Sequence, residues 1–163
     1  MERGLLELSI PPEWGAVQAL WDPCRGMLSR AGLADDEAYA LAMVAQELLE
    51  NAVKYGDPAG AAIQFILRVA PAVVTVEVRS RVGDEGHLRA FHRTVQWIRG
   101  HPDPFRAYVE RLEQAAARPP VHEPIGLGLA RIAFEGRCAL EFFLDAGNTL
   151  SVSAVYQREG AEG

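Results

Sequence analysis

Residues 46–56 read QELLENAVKYG, and the polar members of this stretch are spaced for joint work. On an α-helix Glu47, Asn51 and Lys54 lie within roughly 60° of one another, because residues three and four apart share a face. Leu41, Val44, Leu48, Ala52 and Tyr55 form a separate apolar stripe beside them. A solvated helix side, with Glu47 and Lys54 loosely attracted, would have the same pattern. The residue types also suit a magnesium nucleotide. The Asn51 amide oxygen is a ligand for a hard cation, the Lys54 ammonium a point charge for phosphate, and the Glu47 carboxylate a base one turn away. Lys54 is the only lysine among 16 basic residues.

A second candidate lies about 70 residues later, where Gly126, Leu127, Gly128 and Leu129 open the helical pattern of GLGLARIAFEG. Glycines at a helix start let backbone N–H groups approach phosphate at the positive end of the helix dipole. A plain strand-to-helix turn would use the same glycines. The dinucleotide fingerprint is absent, since its third glycine is missing and position 131 is arginine, and there is no GxxxxGK[ST] loop.

The elements that must position these groups follow from patterning. A chain of 163 residues, 49% hydrophobic and 23% charged, fits a single domain over 1–163 with a real core. LLELSI alternates as a strand and is stopped by Pro11 and Pro12. Glu13 to about Ala31 has helical spacing with a break expected at Pro23 or Gly26, and Gly32 ends it. The next helix runs from Asp35 or Asp36, an aspartate serving as N-cap, to Tyr55, with Gly56 past its end. AAIQFILRVA and AVVTVEVRS form one hairpin, and CALEFFLDAG and TLSVSAVYQR a second. Between them LRAFHRTVQWI and FRAYVERLEQAA read as a helical pair. Without a repeating βαβ rhythm, the expected class is α/β (α+β), a two-layer sandwich whose mixed, mostly antiparallel sheet is covered by helices.

A net charge of −6 argues against nucleic acid or anionic membrane as partner. Arg89, Arg93, Arg99, Arg106 and Arg111 read as a solvated face, and His87, His92, His101 and His122 as surface histidines. Cys24 and Cys138 lack CxxC spacing and read as buried free thiols. No basic, apolar leader and no run of about 18 uncharged apolar residues occurs, so a cytoplasmic address is expected.

In this order, ELLENAVKYG and GLGLARIA resemble the N-box and second glycine box of the GHKL, or Bergerat-fold, ATPases, and among them the small bacterial anti-sigma-factor serine kinases. The resemblance implies a Bergerat-type sandwich binding ATP and Mg2+. Glu47 would be the catalytic base, Asn51 the metal ligand, Lys54 a phosphate contact, and Gly126, Leu127, Gly128 and Leu129 the phosphate turn beside the lid. Thr149, entering the last strand, would bring its hydroxyl near adenine.

The family's first glycine box, D-x-G-x-G, should follow AVVTVEVRS. Ser80 stands in place of its aspartate, which would weaken the adenine contact by roughly 1 to 2 kcal/mol. Asp84, Glu85 and Gly86 come four residues late and read as a solvated turn. A helical insert over about 84–120 replaces the ATP lid, with Phe91, Val95, Trp97, Phe105, Tyr108 and Leu112 expected to pack against the body.

The leading expectation is a stand-alone regulator that binds Mg-ATP and acts on a protein partner, an anti-anti-sigma-like substrate or a sigma-like factor, as a serine/threonine kinase or a partner switch. The runner-up is a non-catalytic pseudo-kinase module that has lost productive nucleotide binding with Ser80. A detached catalytic domain of a sensor histidine kinase comes third. Assembly as a homodimer is left open.

Overall fold

Alternation of apolar and polar residues builds the sheet. In the computed structural model, which describes residues 4–57, 59–117 and 127–158, β1 (Gly4–Ile10), β2 (Ile63–Val69), β3 (Val73–Arg81), β4 (Cys138–Leu144) and β5 (Thr149–Gln157) form one sheet in the order β1-β2-β3-β5-β4. All four pairings are antiparallel, so the sheet is more uniform than the mixed one expected. Both hairpins pair as read, β2 with β3 around Pro71 and β4 with β5 around the DAGN turn. Asn148 takes a positive φ of 62° in that turn, a conformation Asn tolerates better than most side chains.

The helices are α1 (Trp14–Gln18), α2 (Trp21–Arg30), α3 (Asp35–Tyr55), α4 (Glu85–Gly100), α5 (Pro104–Ala117) and α6 (Leu127–Phe134). The first break falls at Ala19–Leu20 instead of Pro23 or Gly26. Pro23 is tolerated because it sits in the first turn of α2, where its missing N–H has no intrahelical partner to lose. Gly32 ends α2 as expected, with φ 96°. Leu33 N–H donates to Leu28 O and Gly32 N–H to Ser29 O, the double bond of a Schellman stop.

Helix α3 begins one residue earlier than a capping aspartate would place it. Ala34 is the N-cap, and the Glu37 carboxylate reaches back to accept from Ala34 N–H at 3.1 Å. Asp35 and Asp36 instead lie in the first turn, where negative charge suits the helix dipole. Leu41, Val44, Leu48 and Ala52 are buried as the stripe predicts. They meet Val74, Val76 and Val78 of β3 and Ile63, Phe65 and Leu67 of β2 in a core continuous with β5, each large side chain contributing roughly 1.5 to 3 kcal/mol. The Gln46 side chain ties α3 to α1, donating to Val17 O at 2.8 Å.

The insert is the predicted helical pair. Phe91 and Val95 are buried and Trp97 and Tyr108 half-buried, but Phe105 and Leu112 are exposed, so packing against the body claims only part of the aromatic stripe. No helix among the described residues is long and apolar enough to cross a membrane.

Candidate functional site

The two motifs meet. Glu47 projects from α3 toward the first turn of α6, where a Cβ at position 128 would collide with Glu47 Oε2. A side chain at 128 would oblige the carboxylate to move. The Glu47 side chain, 19% exposed, also accepts from Arg131 Nη1 at 3.2 Å, while Arg131 Nε donates to Glu135 Oε2 at 2.8 Å. Arg131, where a dinucleotide motif would have its third glycine, thus clamps the candidate base between two helices. Burial, reinforced by Glu50, holds the Glu47 carboxyl above its ordinary range despite Arg131 and Lys54. Arg131 is held more firmly protonated, chiefly by its hydrogen bond to Glu135.

Asn51 and Ser80, assigned to opposite ends of a nucleotide, line the same cavity. Leu48, Ala52 and Tyr55 of α3 form one wall, and Val78 of β3 with Leu150 and Val152 of β5 the floor. His87, Leu88 and Phe91 of α4 close it. The His87 ring stands edge-on to Tyr55 at 5.1 Å, and Phe91 edge-on to Phe142 at 5.9 Å. The remaining space is ≈ 30 Å³, room for a water or two at about 10 to 15 Å³ each and far below the roughly 300 to 1,000 Å³ of a small-molecule site.

The other predicted residues are dispersed. Lys54, whose charge reaches Glu47, lines a different cleft of ≈ 570 Å³ with Pro11, Pro12, Asp57 and Arg81. Ser80 and Ala52 border both spaces. Leu129 is buried in the core, which leaves only its backbone for a ligand. Leu127 and Gly128 lie in the first turn of α6, and Gly126 falls outside the described residues. Thr149 registers with Arg81, one step from the Ser80–Leu150 pair that faces the cavity, so the pleat turns its hydroxyl to the opposite side of the sheet. Asp84 is not among the residues lining the cavity; it is the N-cap of α4 and accepts from Gly86 N–H at 2.6 Å.

A magnesium nucleotide does not fit the ≈ 30 Å³ that this cavity keeps beside Asn51 and Ser80. Among the described residues no group of three His, Cys, Asp or Glu side chains could hold a metal ion. Cys24 and Cys138 are buried free thiols as expected, burial pushing both up to about 12. Sequence reasoning missed Arg131 as the partner of Glu47 and His87 and Leu88 as the cavity's cover. The sole prior signal for Arg131 was its place at a position the glycine motif would leave small.

Among solved structures the chain is similar to the SiaB-SiaC complex from Pseudomonas aeruginosa, with a TM-score of 0.73 and 21% identity over 93% of this chain and 88% of that chain. At that identity the likeness speaks for the fold. No protein-family model matches the sequence, and no curated protein does.

Proposed function

We propose that this chain is a signalling regulator that acts by binding a protein partner, and that it does so as a non-catalytic module on a GHKL-type scaffold. One observation carries the reading: the cavity holding Asn51 and Ser80 is closed by His87, Leu88 and Phe91 to ≈ 30 Å³. The similar fold occurs in a complex of two proteins, which supports a protein as the partner. Titration calorimetry with Mg-ATP tests it. No binding is expected at about 1 mM nucleotide, and a dissociation constant in the micromolar range would overturn the non-catalytic reading.

A second reading, phosphoryl transfer to a serine or threonine of the partner, is favoured by Glu47. Its raised proton affinity and fixed position over Gly128 suit a base that takes a hydroxyl proton. In that case the first turn of α4 must lift, and Glu47→Ala abolishes transfer to the partner while leaving nucleotide binding largely intact.

A further inference from the structure

Helix α4 buries Phe91, Thr94, Val95 and Ile98 and turns Arg89, His92, Arg93, Gln96 and Arg99 outward. Those five fall within about 120° of one another on the helix, because His92, Arg93, Gln96 and Arg99 lie three, four, seven and ten residues after Arg89. Against three arginines, α4 carries a single acid, Glu85. That carboxylate lies 3.9 Å from Arg89 Nη1 with both side chains largely in solvent, a contact of little energetic value. No acid among the described residues pairs with Arg93 or Arg99.

The chain as a whole carries a charge of −6, so this stripe runs against the field of the molecule it belongs to. At its edge the Phe142 ring lies 5.0 Å from that of His92, which adds an aromatic contact to the stripe. Arginine and aromatic side chains are the residue types that anchor protein interfaces.

We propose that this face of α4, centred on Arg89, Arg93 and Arg99, is the docking surface for an acidic segment of a partner protein. The inference rests on the partner-binding reading above and names the chemistry of that partner. Guanidinium forks match carboxylates two bonds at a time, and like charge elsewhere on the chain repels an acidic partner from wrong orientations. A nucleic acid or an anionic membrane would present a longer, denser run of charge than one helix face can cover and would meet the acidic remainder of the surface.

Fluorescence anisotropy of a labelled oligoglutamate peptide with the full chain provides the test, together with amide chemical-shift mapping. The expected result is salt-sensitive binding mapped to 85–100 that weakens by about tenfold or more in the triple variant Arg89→Ala, Arg93→Ala, Arg99→Ala. Arg79→Ala, on the far face of the sheet, binds as the parent does. If the alanine variant fails to fold, the glutamine triple variant makes the same measurement. Equal peptide binding by parent and triple variant, no binding, or tighter binding of a DNA duplex or phosphatidylserine vesicles overturns the proposal. Binding that maps elsewhere on the chain sinks the α4 assignment alone, whereas micromolar Mg-ATP affinity with peptide binding at α4 sinks only the non-catalytic reading.

Discussion

Glu47 shows how one side chain records the conflict within the site. Its carboxyl is held above an ordinary value of 4.5. Between that value and the raised one, the folded chain keeps a proton that the unfolded chain has released. The stability associated with the protonated form is therefore full in acid and is lost as pH rises through the raised value. Glu47→Gln keeps a neutral group at every pH. Melting temperatures of variant and parent should coincide near about pH 4, and the variant should melt higher at about pH 7. A lower melting temperature at neutral pH would mean that the attraction of Arg131 outweighs burial. The types and spacing of Glu47 and Asn51 were legible in the sequence, and so was the meeting of their helix with the glycine turn. The clamp by Arg131 was not, because an ion pair spanning 84 positions leaves no local pattern.

At the scale of elements, α4 decides what the site does. Its last three turns are anchored by Phe91, Val95 and Ile98, whereas the first turn covers the cavity with half-buried His87 and Leu88. Asp84 caps that turn. Asp84→Ala should cost about 1 kcal/mol in denaturant unfolding and speed amide exchange at 85–88 more than at 94–98. Uniform exchange along the helix would show that the cap does not control the cover. The sequence marked this helix by its period but not what its apolar face would lie upon, since periodicity gives a direction and no partner. The same limit separates Thr149 from Leu150. A shift of one residue decides which side chain faces the helices, and the turn before β5 gave no means of fixing that register. The hairpins and α3 were legible because alternation, turn residues and an uninterrupted stripe agreed there.

For the whole molecule, the helices lie on one side of the sheet and β4 is an edge strand. That strand carries Phe143, 67% exposed, beside Leu144, an apolar edge of the kind that invites pairing with another chain. Phe143→Lys should leave thermal stability within about 0.5 kcal/mol and reduce any concentration-dependent increase in sedimentation coefficient. An unchanged coefficient in a self-associating sample would place the contact elsewhere.

The sheet is also interrupted in sequence. β3 ends at Arg81, and its other neighbour, β5, begins only at Thr149, after the α4–α5 pair, α6 and β4. During synthesis β1, β2, β3 and α3 can therefore associate while the far flank of β3 is still bare. Closing that flank must await synthesis of β5, so the nascent chain stays vulnerable to mispairing along β3 until Thr149–Gln157 has left the ribosome.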